Sequence, residues 1–201
     1  MTEHCIFYRR HLPHWQPPGA TLFITFRLAG SLPRETIAAL REKQEQGKTT
    51  LSRIGDATER RAFGRWDTAL DTSNNGLRWL ADPQIAAIVV EALHYRHGQV
   101  YNLVAFCIMF NHVHLVCMPL AQENGTYYAL SRILQSLKRH TARQANKILH
   151  RQGTFWQAES YDHVVRDADE LERIAQYVIN NPVKAGLVSN WEAWPWTYVQ
   201  M

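Results

Sequence analysis

The alternation of apolar and polar positions along this chain predicts a mixed fold of strands and amphipathic helices. The stretch ATLFITFRL, Ala20 to Leu28, is rich in β-branched and aromatic residues, with Phe23, Thr25 and Arg27 alternating against Ile24 and Phe26, and it reads as a strand. From residue 31 to about residue 80 the pattern turns to charged, helix-compatible sequence. It holds one helical segment at Arg34 to Gln46, another at Ala57 to Leu70, and a polar turn from Asp71 to Gly76. This segment reads as an insertion that contributes little to the sheet. Asp82 and Pro83 then supply an N-cap and a first-turn proline to a helix reaching about His97, whose apolar stripe is Ile85, Ile88, Val89, Ala92 and Leu93.

Val100 to Phe110 and His112 to Met118 are two apolar, β-prone runs that meet at Asn111, as expected of adjacent antiparallel strands in the middle of a sheet. Thr126 to Leu149 is a long amphipathic helix with Leu130, Ile133, Leu134, Leu137 and Ile148 on one side. Tyr161 to Val165 is short and strand-like. Asp167 with Glu170 resembles a capping box opening a last helix, which ends before Pro182 because the residue before proline is pushed out of the helical region. The expected order is β, insertion, α, β, β, α, β, α, without an internal repeat.

A chain of 201 residues, 46% of them apolar, can bury one good core. One domain over 1–201 is expected, with the helical insertion at about 31–80 and the last helix at about 167–181. The formal charge of +4 permits contact with a polyanion without requiring it. Cys5, Cys107 and Cys117 make no CxxC pair, and their odd number does not suit a disulfide framework, so a reducing cytoplasm is expected. The longest apolar run, Leu103 to Phe110, is far below the ~20 residues that span a bilayer, so no membrane partner is expected.

The first chemical signal is FNHVHLV, Phe110 to Val116. Side chains two apart on a strand share a face, so His112 and His114 present two imidazoles suited to one divalent cation, while Val113, Leu115 and Cys117 face the other way. Histidines that merely pack and hydrogen-bond at a strand end would give the same spelling. Two imidazoles alone do not choose between Mg²⁺ and Mn²⁺.

The second signal is YVINNP, Tyr177 to Pro182. Residues four apart on a helix share a face, so Tyr177 and Asn181 fall together, Asn181 offering an amide oxygen to the cation and Tyr177 aiming its phenol at the same place. Asn180 points away. A helix terminus before proline accounts for Asn181 equally well. If the parts combine, a cation polarising a phosphodiester lets a phenol replace water as nucleophile, and the covalent phosphotyrosine conserves the bond for rejoining.

Other basic and aromatic groups are candidate DNA contacts. Arg132, Arg139, Arg143 and Lys147 form a basic stripe opposite the leucine stripe of their helix, a phosphate track or simply a solvated face. Trp15, in the stiff segment HLPHWQPPG, is placed to stack on an unpaired base or to pack in a turn. Arg27, on the first strand, joins this set. A catalytic role for His163 is disfavoured.

Together, FNHVHLV resembles the motif of two histidines around a bulky hydrophobic residue in the single-tyrosine HUH transposases. YVINNPVKAGLV resembles their tyrosine helix in the form found in REP-associated tyrosine transposases, and LPHWQPPGATLFITFRLAGSLP and FWQAESYDHVVRD also resemble that group. The resemblance implies an α+β fold, a ferredoxin-like antiparallel sheet with helices on one face plus the helical insertion. It implies His112 and His114 as metal ligands, Asn181 as a third, and Tyr177 as the nucleophile that becomes linked to a 5′-phosphate. It further implies a Mg²⁺ or Mn²⁺ cofactor, single-stranded DNA carrying hairpins of palindromic repeats as partner, and a monomer or homodimer. The rivals are a regulator that grips hairpins without cutting, and a metal hydrolase that uses water.

Overall fold

The computed structural model describes residues 6–9, 13–46, 57–72 and 76–200. Two short strands open it, β1 (Ile6–Arg9) and β2 (Pro13–Gln16), paired antiparallel with Phe7 opposite Trp15. Strand β3 (Leu22–Arg27) follows, then helices α1 (Arg34–Gln46), α2 (Ala57–Thr72) and α3 (Pro83–Arg96). Strands β4 (Tyr101–Ile108) and β5 (His112–Pro119) form a hairpin, closed by the Met109 amide donating to the His112 carbonyl. Helix α4 (Leu130–Ile148), strand β6 (Tyr161–Val164), helices α5 (Ala168–Ile179) and α6 (Asn181–Lys184), and strand β7 (Thr197–Val199) complete it.

The main sheet has the order β6-β3-β5-β4-β7, with every neighbouring pair antiparallel. The predicted α+β class with an antiparallel sheet is what the structure shows. Strand periodicity explains the two faces. Leu22, Ile24, Phe26, Val113, Leu115 and Cys117 point into one core with Phe106 and Ile108, and α3 and α4 close it through Ile85, Val89, Leu93, Ile133 and Leu137. The intervening residues, Phe23, Val116, Ala105 and Cys107, point the opposite way.

Helices were expected on one face, and α3 and α4 lie there. The second face carries helices too. Val178, Leu171 and Ile174 of α5 and Phe63 of α2 pack against Phe23, Val116, Ala105 and Cys107. The reason lies in the sheet itself, whose central strands are apolar on both sides and need covering on both.

Local chemistry fixes the elements around this frame. The Asp82 side chain accepts from the Gln84 amide and caps α3, with Pro83 at its first turn. Asp167 accepts from the Glu170 amide to start α5, while Glu170 returns its bond to the Arg166 amide, one residue before the cap. Helix α4 has no cap of its own at Ala129. Gln16 supplies one from the far end of the chain, donating to the Tyr128 carbonyl and accepting from the Leu130 amide.

Residues 31–80 add no strand to the sheet among the described residues. Their second helix is longer than the sequence pattern suggested. It runs to Thr72, so Asp71 belongs to the helix; residues 73–75 of the expected polar turn lie outside the described residues.

Candidate active site

Strand β5 delivers His112 and His114 to the sheet face that α5 and α2 cover. In register, Arg27 stands opposite His112 and Thr25 opposite His114, so these four side chains share that face. Both imidazoles are fully buried, and their Nε2 atoms lie 3.1 Å apart. His114 Nδ1 contacts Thr25 Oγ1 at 2.8 Å, and His112 Nδ1 contacts Asn111 Oδ1 at 2.7 Å. Each ring is therefore held on its far side with Nε2 turned inward.

Tyr177 and Asn181 arrive together, as their spacing predicted, although α5 stops at Ile179 and Asn180 caps it before α6 begins. The Tyr177 ring lies 5.7 Å from the His114 ring and meets Phe23 and Phe63 edge to face. Asn181 is fully buried, its Nδ2 3.2 Å from His114 Nε2; a half-turn of the amide would put Oδ1 at the same place. Asn180 points elsewhere, donating to the Gln176 carbonyl.

The residue that the sequence reading missed is Asp67, on α2. It is fully buried, with Oδ1 3.2 Å from His114 Nε2 and 3.9 Å from His112 Nε2. Its Oδ2 accepts the Tyr177 hydroxyl and lies 3.3 Å from Lys184 Nζ. Asp71, one turn on, puts Oδ1 3.9 Å from His112 Nε2 and Oδ2 3.6 Å from the same lysine. Helix α2 thus furnishes the acid of the site. A signal was present: Asp67 falls between Phe63 and Leu70 on the stripe that α2 buries, where a carboxylate needs a partner.

Asp67, His112 and His114 form a cluster able to hold a metal ion, their ligating atoms all within 4.8 Å of one another. The donor set fits a cation. Asp67 Oδ1, Asp71 Oδ1 and Asn181 Oδ1 are buried and lack a donor in hydrogen-bonding geometry, and the two carboxylate oxygens each lie within 3.9 Å of a histidine Nε2. Neighbouring ligands of an octahedral ion with bonds of about 2.1 Å stand roughly 3 Å apart, close to the spacing of the two Nε2 atoms.

The electrostatics agree. Burial, then His114, pushes the His112 imidazole down to about 3, so it stays neutral. Burial alone would raise the Asp67 carboxyl, but His114, His112 and the Tyr177 hydroxyl hold it well below the usual carboxylate range. Asp71 is pushed up to about 6, first by burial and then by the charge of Asp67. Burial, followed by Asp67, raises the Tyr177 phenol above its ordinary value.

The remaining candidates lie apart from this cluster, except Arg27. That residue, on the same face, donates to Ser31 Oγ at 3.0 Å and lies over the Trp66 ring at 5.8 Å. Arg132, Arg139, Arg143 and Lys147 are exposed on α4, across the sheet from the histidines. Arg132 and Arg139 line an open groove of about 660 Å³ between α4 and residues 153–160. Trp15 lies in β2, and its side chain is outside the described residues. His163 binds Glu170 at 3.1 Å and takes no part in the cluster.

Two strand histidines, a buried carboxylate and a helix tyrosine thus meet on one face of an antiparallel sheet. Residues 85–181, which include His112, His114, Tyr177 and Asn181, match the family described as "Transposase IS200 like". A protein of Haemophilus influenzae described as a "Putative REP-associated tyrosine transposase" is 31% identical over 104 residues, covering 48% of this chain and 58% of that protein. A solved structure titled "Structure of the REP associates tyrosine transposase bound to a REP hairpin" superposes with a TM-score of 0.48 at 16% identity, covering 94% of this chain and 80% of the other. These similarities agree with the resemblance read from the motifs, and the chain spans little more than half the length of the curated protein that it matches. No helix among the described residues is long and apolar enough to cross a membrane.

Proposed function

We propose that this chain cuts and rejoins single-stranded DNA at or near hairpins of palindromic repeats, with Tyr177 as nucleophile and Mg²⁺ or Mn²⁺ as cofactor. The supporting observation is the convergence of the nucleophile and the cation-ready cluster on one carboxylate, since Asp67 contacts Tyr177 through one oxygen and His114 through the other. His112, His114 and Asp67 would hold the cation, with Asn181 beside them. When bound, it supplies positive charge to the scissile phosphate.

The chain's own groups do the rest. The phenol oxygen of Tyr177 attacks phosphorus, forming a P–O bond to the tyrosine and breaking the bond to the 3′ oxygen. The phenolic proton leaves along the hydrogen bond to Asp67 Oδ2, and the departing 3′ oxygen takes up a proton. A second 3′ hydroxyl reverses these steps and joins strands. His112, His114, Asp67 and Asn181 are all fully buried, so side chains around them have to shift for a phosphodiester to enter.

The test is incubation of the full chain with end-labelled strands carrying palindromic repeats, with Mn²⁺ or Mg²⁺, followed by a denaturing gel. A protein-linked fragment that chelator prevents is the expected result; binding without linkage across metals and repeats would favour the non-cutting regulator.

A pH effect follows from Asp71. Because its carboxyl is pushed up to about 6, it holds a proton at lower pH that a nearby dication displaces, while His112 is already neutral. Cation affinity is therefore expected to fall as pH drops below about 6, with protons released on binding at pH 5.5 and few at pH 7.5. Calorimetric titration in buffers of differing ionisation enthalpy reads this directly. Equal proton release at the two pH values would remove Asp71 from the account.

A further inference from the structure

Asn111, which ends the turn before His112 and contacts its ring, is buried, 4% exposed. Its Nδ2 donates to the Leu70 carbonyl on α2 at 2.9 Å, and its Oδ1 lies 2.7 Å from His112 Nδ1. The first contact dictates the second. A backbone carbonyl only accepts, so the amide nitrogen has to face Leu70 and the amide oxygen has to face the ring. An amide oxygen also only accepts, so His112 carries its proton on Nδ1 and leaves Nε2 as a bare lone pair. That lone pair points where His114 Nε2 and Asp67 Oδ1 converge, at 3.1 Å and 3.9 Å.

We propose that Asn111 is a positioning residue that holds His112 in its cation-binding tautomer, and that α2, through the Leu70 carbonyl, holds Asn111. The inference rests on the reading of His112 as a cation ligand. The partner of His114 on the same side is Thr25, whose hydroxyl can donate or accept and so imposes no tautomer. Control of this kind thus falls on His112. Helix α2 contributes to the site in two ways, placing the Asp67 carboxylate beside both rings and fixing one ring's tautomer through its backbone. Departure of α2 removes both at once, so cation binding and docking of the helix favour each other.

The experiment uses the full chain with ¹⁵N-labelled histidine, the wild type beside Asn111→Ala and Asn111→Asp. Long-range proton–nitrogen correlation of the cation-free protein reports the His112 tautomer, and calorimetry with Mn²⁺ reports affinity. In the wild type, His112 is expected as the Nδ1–H form. Asn111→Ala should mix the tautomers and weaken Mn²⁺ binding about tenfold or more, the range typical of losing an outer-shell partner. Asn111→Asp retains an acceptor for Nδ1–H but repels the Leu70 carbonyl. It should restore tautomer and affinity while amide exchange in α2 quickens.

The Nδ1–H form and wild-type affinity persisting in Asn111→Ala would overturn the proposal. So would failure of Asn111→Asp to restore either, with the circular dichroism of the fold intact. A wild-type chain that takes up no Mn²⁺ overturns the cation reading instead, and the tautomer comparison still decides whether Asn111 orients His112.

Discussion

Tyr177→Phe is expected to abolish covalent capture of DNA, by a factor of at least about 10⁴, while leaving affinity for hairpin strands within about threefold. The substitution removes one oxygen and keeps the ring, so the edge-to-face contacts with Phe23 and Phe63 at 6.1 Å and 6.2 Å remain available. What disappears is the attacking atom and its hydrogen bond to Asp67. A denaturing gel for linkage and a filter-binding titration for affinity separate the two effects. Cleavage that persists without linkage would mean that water is the nucleophile. Parallel loss of cleavage and affinity would show that the tyrosine serves binding rather than chemistry.

The second large effect belongs to Asp67→Asn. Asparagine is nearly isosteric, leaves an oxygen to accept the Tyr177 hydroxyl, and relieves the charge that helps push the Asp71 carboxyl up. Because His114, His112 and Tyr177 hold the Asp67 carboxyl well below the usual carboxylate range, losing its charge removes more than this relief returns, and the cation-free variant should melt below the wild type. With Mn²⁺ at about a hundred times its Kd, the wild type gains about 2.7 kcal/mol; a hundredfold weaker site would gain only about 0.4 kcal/mol at the same concentration. Thermal melts with and without Mn²⁺ make the comparison. An undiminished Mn²⁺ effect in Asp67→Asn would exclude the carboxylate from the cation's shell.

Most of this site was legible in the sequence because its parts obey local periods. A strand's repeat of two puts His112 and His114 on one face, and a helix's repeat of 3.6 brings Tyr177 and Asn181 together, even across the break at Asn180. Asp67 obeys no such rule relative to the histidines, since it reaches them by tertiary packing of α2. It was legible only as an acid misplaced on a buried stripe. Asn111 was hidden in a different way: it looked like a turn residue, and its partner is a backbone carbonyl of Leu70, which leaves no trace in a side-chain pattern. The terminal strands were equally faint. β7 is three residues long, and β1 and β2 are four each, too short for alternation to register.

The sheet also partitions the molecule. With the histidines and tyrosine on one side and the α4 stripe on the other, a nucleic acid that engages both has to wrap around an edge strand, crossing a layer about 10 Å thick. If the stripe is the phosphate track, a minimum substrate length separates grip from chemistry. Strands below it would reach only the tyrosine and bind with a shallow dependence on salt; longer ones would add a step in the slope of log affinity against log salt as each cation of α4 finds its phosphate.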